Sequence, residues 1–407
     1  MFERTPGFQP CVLDEVLELP LYHMRGGTST GVVLWAEHLP RDPALRDEAI
    51  VRIMGAPAQG EVKGNRQTSG LGRGPSTSNK VFIVDRSPDA SADITSTLAQ
   101  VTADKSSIDW SVNCGNMTAA LPIYAFDTGL FQPVVGTTVV RIFNTNTKVT
   151  TDAIVKTPDG TPAVPADTEI PGVMGRFPGV ALSLRNPVGS KTGRLLPTGN
   201  AVDRCAGVEV SCLDVAMPVV FLRAADIGKT GHESVEELGR DAALHERLTE
   251  IWVEAGLKMG LKKVNGELMT AEELARSETM PKVCLVAEPR GDEHIVARYF
   301  TPQTPHNSLA VTGGCCLGVA CLVPGTVPNA LARGLPALGP AEQAHTMAMR
   351  NPAGILRARI EAAQTPDGIK IGNVAYERSA QIFLRGHYPL YEASDALRRW
   401  GERWPEG

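Results

Sequence analysis

The eight cysteines (11, 114, 205, 212, 284, 315, 316, 321) contain no C-x-x-C pair. Neither a zinc ribbon nor a disulfide framework is indicated, and free thiols in a reducing compartment are the plain reading. No H-E-x-x-H or other compact metal signature occurs, so no metal is expected. Long apolar runs are missing too: the most apolar stretch, from Cys315 to Pro324, has about ten residues against the roughly 20 that a membrane span needs. The start, MFERTPGFQP, carries no basic segment leading into an apolar one, so no secretory signal is expected and a cytoplasmic location is. No dense Lys/Arg run exists, and 40 basic against 45 acidic residues give a net charge of −5. Nothing there draws the chain toward nucleic acid or a membrane.

What is present is 407 residues with 43% apolar content, enough for two domains and too apolar for disorder. The 40 glycines and 30 prolines are scattered, which favours turn-rich β or α/β structure over long helical bundles. Residues 1–20 read as an arm entering a strand. Strands are expected at 31–35, 81–84, 139–143, 180–184, 208–212, 219–222, 283–288 and 295–300. A helix is expected over 43–54, with Asp42 as cap and proline at its first position. Another is expected over about 234–259, opened by a capping-box pair, Ser234 and Glu237. The segment 158–172 reads as a hairpin loop, and a polar helix near Trp404 closes the chain. The pattern weakens around LLPTGNAVDRC, so the domain boundary is placed at 204/205.

The two halves look related. Asn113-Cys114-Gly115-Asn116 is a turn followed by a small-residue helix that Pro122 would limit or kink. In the second half Thr312-Gly313-Gly314 opens a similar helix. Both segments are apolar on all sides, as a helix buried all round must be. The expected fold class is α+β: two similar domains, each a mostly antiparallel sheet or barrel wrapped around a central buried helix.

Four stretches could carry chemistry. Cys114 stands at a helix start, where unpaired backbone N–H groups stabilise a thiolate; as a bland alternative, cysteine is a small buried hydrophobe. GLGRGPSTSNK (70–80) echoes a phosphate loop. However, Asn79 stands where glycine is needed, and a strand follows where a helix is needed, so the nucleotide reading fails. A hydroxyl-rich turn (Ser76, Thr77, Ser78) that delivers Lys80 to a strand entrance survives. Arg25-Gly-Gly-Thr28-Ser29-Thr-Gly31 combines a bidentate cation with backbone and hydroxyl donors; its G-x-S-x-G match lacks the following helix. Finally, Arg298 and His306 precede the second helix start.

Together, RGGTSTG (25–31), GPSTSNKVFIV (74–84), VNCGNM (112–117), LLPTGN (195–200), RYFTPQTPHNSLAVTGG (298–314) and ERSAQIFLRG (377–386) resemble the PrpF family, in order along almost the whole chain. That family includes 2-methylaconitate cis-trans isomerase, 3-methylitaconate isomerase and 4-oxalomesaconate tautomerase. The resemblance implies a diaminopimelate-epimerase-like fold with the active site between two similar domains and no cofactor. It also implies a lysine–cysteine acid–base pair, which matches Lys80 and Cys114 here. Arg25, Thr28, Ser29, Ser76, Thr77, Ser78, Gly115, Asn116, Met117, Arg298, His306, Thr312, Gly313 and Gly314 are then expected to bind a small unsaturated polycarboxylate. A homodimer stays open. Relatives commonly carry a lysine where Thr30 stands, and often one where Asn307 stands, so some positive charge is missing here. Two readings compete with the isomerase. An amino-acid racemase of the same fold needs a second cysteine where Val311 stands, and a silent binding protein would keep the cleft without the chemistry.

Overall fold

A computed structural model describes residues 8–404 other than 264, 278 and 367; the expected arm lies outside it up to residue 7. The chain forms two compact units, Met1–Leu182 with Arg378–Gly407 and Ser183–Glu377.

In the first unit the strands are β1 (Val16–Gly26), β2 (Ser29–Trp35), β3 (Lys80–Arg86), β4 (Ile94–Val101), β5 (Gly136–Asn144) and β6 (Val149–Thr157). β1 and β2 pair antiparallel, β2 and β3 parallel, β3 and β4 antiparallel, β4 and β5 parallel, β5 and β6 antiparallel. Helix α1 (Pro43–Met54) links β2 to β3. Asp42 accepts from the Ala44 and Leu45 amides, proline fills the first position, and Gly55 ends the helix at φ 69°, a left-handed turn that glycine adopts without steric cost. Side chains alternate across the sheet. Tyr22, Val33, Phe82 and Leu98 enter one core; Val32, Leu34, Val81 and Ala99 enter a second, with the Ile50 and Ile53 side chains of α1.

The first of these cores is centred on a helix in two pieces, α2 (Gly115–Thr118) and α3 (Ala120–Thr128). The break at Ala119 follows from Pro122, which has no N–H to offer the Thr118 carbonyl. Every residue of α3 is buried, as its uniformly apolar sequence requires.

The second unit repeats the pattern. Its strands are β7 (Val208–Val215), β8 (Met217–Arg223), β9 (Lys282–Ala287), β10 (Ile295–Thr301), β11 (Gln343–Asn351) and β12 (Gly354–Thr365). They pair antiparallel, parallel, antiparallel, parallel and antiparallel in the same sequence as β1 to β6. Helices α4 (Val235–Arg240), α5 (Ala242–Lys258) and α6 (Ala271–Arg276) stand where α1 stands in the first unit, and α7 (Val311–Leu322) is the buried central helix. The expected helix over 234–259 is thus two. Its capping box is present at Ser234 and Glu237. Asp241 leaves helical geometry to cap α5 by accepting from the Leu244 amide.

The boundary expected at 204/205 falls inside the second unit. The weakly patterned stretch before it ends in a short strand, Asp203–Cys205, paired with β7, and the loop ahead of it is tied to β7 as well, where the buried Asp214 carboxylate accepts from the Lys191 and Thr192 amides and the Ser190 hydroxyl. The chain returns to the first unit in β13 (Gly368–Leu390), whose residues 380–390 pair with β1. Helix α8 (Asp395–Glu402) then buries Leu397 and Trp400 beside Leu17. Among the described residues no helix is long and apolar enough to cross a membrane.

Glycines set how α7 packs. A Cβ at Gly313 would run into the Tyr299 ring, and one at Gly314 into the Tyr376 ring. Gly314→Val therefore overpacks this core and is expected to lower unfolding free energy by about 3 kcal/mol, read from the urea midpoint. An unchanged midpoint would show that the rings move aside.

Candidate active site

In the first unit three polar segments meet at one end of the sheet. The β1–β2 hairpin supplies Gly26 to Gly31, with Gly27 at φ 54°. A Cβ at Gly26 would overlap the Asn116 carbonyl and Met117 Cα, one at Gly27 the Asn116 side chain, and one at Gly31 the Lys80 carbonyl. These glycines let the hairpin lie directly on the Cys114–Met117 turn and on the start of β3. Asn116 fastens the contact. Its amide donates to Thr28 Oγ1 at 3.3 Å, and its Oδ1 accepts from Arg378 Nε at 2.8 Å.

Cys114 is the N-cap of α2, in extended geometry with no side-chain cap on the helix start. Its Sγ is 3.9 Å from the Ser29 hydroxyl, and its carbonyl accepts from the Thr118 amide at 3.0 Å. The amides of Gly115 and Asn116 are thus helix-start donors with no intrahelical acceptor.

Lys80 opens β3 and is buried to 7% exposure. It pairs in register with Gly31 and Gln100 and shares a strand face with Phe82, two residues on, so its side chain is on the face covered by the central helix. Ser29 lies on that same face, two residues before Gly31. Nζ donates to the Ser76 carbonyl at 2.7 Å and to Gln100 Oε1. The preceding loop is held by two buried amides: Gln67 bonds the Met54 carbonyl and Gly74 amide, and Asn79 bonds the Gly74 carbonyl.

Ser29, Cys114, Gly115, Asn116 and Thr28 are accordingly brought together, with Lys80 on the same sheet face as Ser29, and several other expected site residues are not. Arg25 alternates with Met24 and Gly26, so it lies on the opposite face of β1 from Ser29. Its guanidinium stacks 4.6 Å over Phe177 and donates to the Gly27 and Ser379 carbonyls, bracing the hairpin from behind. Burial lowers its pKa to about 10. Thr30 pairs with Arg25 and also points away from Ser29, so the missing lysine at that position is not missing from the Cys114 side. Met117 is fully buried in the core. Ser76 serves through its carbonyl, Ser78 turns its hydroxyl onto the Pro75 carbonyl, and Thr77 is exposed.

In the second unit Arg298 alternates with Tyr299, which faces α7. Arg298 therefore lies on the other face, donating to the Glu233 and Ala297 carbonyls. His306 remains on the α7 side, its ring edge-on to Tyr299 at 6.0 Å and its Nδ1 accepting from the Ser308 amide. Thr312, Gly313 and Gly314 form the first turn of α7, which has no side-chain cap. Val311 stands at its first position, and Cys315 and Cys316 are packed in the core.

Sequence reasoning missed Gln100 and Arg378. The first is an ordinary alternating position of a strand, visible only once register is known. The second lies in ERSAQ, a segment noticed for its resemblance but 262 residues from Asn116.

Known proteins resemble this chain along most of its length. The family described as PrpF protein matches residues 16–390, and the chain belongs to it. YbhH of Escherichia coli (strain K12) is 38% identical over 310 residues, 76% of this chain and 84% of that protein. The 4-oxalomesaconate tautomerase of Pseudomonas putida is 37% identical over 314 residues, 77% of this chain and 82% of that one. A crystal structure of methylitaconate-delta-isomerase superposes with a TM-score of 0.78 at 29% identity, covering 93% of this chain and 97% of that one.

The cysteines differ sharply in setting. Six are buried, and Cys11 and Cys114 are half-buried. Burial raises the thiols of Cys205 (to about 11), Cys212, Cys284, Cys316 and Cys321; burial and Glu18 raise that of Cys11. Iodoacetamide on the native protein is expected to alkylate Cys114 first, as read by peptide mapping, with Cys11 slower and the buried six protected. Faster labelling of Cys11 would overturn this order.

Proposed function

We propose that the chain is a cofactor-independent isomerase that moves a proton between the two ends of an allylic system in a small unsaturated di- or tricarboxylate. Lys80 and Cys114 are the acid–base pair in this reading. The observation that supports it is that Lys80 lies on the same sheet face as Ser29, whose hydroxyl is 3.9 Å from the Cys114 Sγ, with the helix-start amides of Gly115 and Asn116 directly after the thiol. Relatives named 4-oxalomesaconate tautomerase and 3-methylitaconate isomerase, the latter 31% identical over 94% of this chain, support the substrate class.

A carbon acid next to a carboxylate is weak, and an adjacent double bond helps by spreading the charge into a dienolate. One member of the pair takes the proton from the allylic carbon, and the other delivers a proton to the far end of the same system. The double bond shifts, and the count of protons is unchanged. Rotation about the transiently weakened bond before reprotonation gives cis–trans exchange from the same intermediate. The Gly115 and Asn116 amides and the Ser29 hydroxyl are placed to receive the negative charge that develops, a contribution often worth ~3 kcal/mol per donor. With Arg25 behind the hairpin, carboxylate orientation falls to the groups on the Cys114 side.

Proton NMR in D₂O tests this with 4-oxalomesaconate, 2-methylaconitate, 3-methylitaconate and aconitate as the panel. Wild type should place deuterium at the allylic position of one of these acids and produce a new vinyl signal. Lys80→Ala and Cys114→Ala should remain folded and lose at least about 100-fold in turnover. Near-normal turnover in either variant would remove that residue from the mechanism. Exchange at the α-carbon of an amino acid, with none in the acids, would favour a racemase instead.

A further inference from the structure

Lys80 does not hold its Nζ alone. Gln100, its register partner across β3 and β4, spends its whole side chain around it. Gln100 Nε2 donates to the Asn79 carbonyl at 2.9 Å and to the Ser76 carbonyl at 3.2 Å, while Oε1 accepts from Lys80 Nζ. The amide can face only one way. Two carbonyls can only accept, so the NH₂ group must meet them and the oxygen must meet the lysine. The Ser76 carbonyl accepts from both Lys80 Nζ, at 2.7 Å, and Gln100, closing a small ring of bonds between strand and turn.

The consequence is directional. A neutral amine has two N–H bonds and one lone pair; an ammonium has three usable N–H bonds. With two positions tied to Ser76 and Gln100, the remaining position is the lone pair in one state and an N–H in the other, along the same line. A group that must take a proton in one direction of a reversible reaction and return it in the other needs that constancy.

We infer that Gln100 is the positioning residue for Lys80, fixing the line along which its proton leaves and returns. This rests on the reading of Lys80 as one of the acid–base pair. A surface-facing glutamine bonded only to its own turn would have no such role, and Gln100 bonds the turn and the lysine at once.

The test uses Gln100→Leu and the near-isosteric Gln100→Glu beside Lys80→Ala, on whichever panel acid turns over. In Gln100→Leu, kcat should fall about 100-fold, the scale of a reacting group misplaced by about an ångström, with KM within about twofold. In Gln100→Glu the added charge holds the proton on Lys80, so the limb of the kcat–pH profile that belongs to lysine should move to higher pH, whichever role lysine plays. A merely structural role would scale the whole profile and move neither limb. If Lys80→Ala is inactive while both Gln100 variants keep the wild-type kcat and pH limbs, the inference fails and the lysine mechanism stands. If Gln100→Leu does not fold, Gln100→Glu alone decides. If Lys80→Ala keeps its activity, the underlying reading fails first.

Discussion

Everything at the candidate site depends on how closely one hairpin can approach one turn. The backbone of Gly26 and Gly27 lies against Asn116 and Met117 at a separation no Cβ would permit, and Gly31 does the same to Lys80. A side chain at any of these positions would lift the hairpin away from the start of α2 and carry Ser29 away from Cys114. The glycines weaken the strands in which they sit, and the loss is offset by packing below them. Met24, Phe82 and Met117 close the same core that anchors both the sheet and the helix. Ser29 and Cys114 therefore sit on the rim of a packed layer, their spacing set by backbone contact.

The central helices impose the second constraint. Helix α3 and helix α7 are surrounded by sheet, so they must be apolar throughout and their polar ends must emerge at the rim. In the first unit the emerging end carries a thiol and amide side chains. In the second the corresponding end carries two glycines covered by Tyr299 and Tyr376. The pairing order of the strands is the same in both units, so the divergence lies in what each unit places at its helix start.

Much of this was legible in the chain because it is local. Asp42 and Pro43 announce α1, Ser234 and Glu237 announce α4, and runs of β-branched residues mark the strands. The uniformly apolar segments after Cys114 and Thr312 mark helices with no solvent face. Arg25 and Arg298 stand on the far faces of their strands; they were read by proximity in sequence to reactive-looking neighbours, whereas a strand sends adjacent residues to opposite faces. The alternation of Met24 with Arg25, and of Arg298 with Tyr299, already contained the answer. Gln100 and Arg378 were beyond such reasoning, because their partners are set by register and by a strand that returns from the far end of the chain.

The sorting of arginines and glycines has a chemical consequence for the site. A guanidinium next to a thiol and an amine would hold a carboxylate strongly in substrate and transition state alike, and uniform binding of that kind does not speed the proton transfer. Here both buried guanidiniums at the hairpin are engaged with protein groups: Arg25, on its reverse side, with the Gly27 and Ser379 carbonyls and the Phe177 ring, and Arg378 with Asn116 Oδ1. What faces Cys114 is backbone N–H, a serine hydroxyl and an asparagine amide already engaged. Neutral, fixed dipoles of this kind strengthen their grip as charge moves onto an oxygen and gain less from an anion already present. In the proposed reaction, fixed dipoles on the Cys114 side would favour the enolate over the acid that forms it.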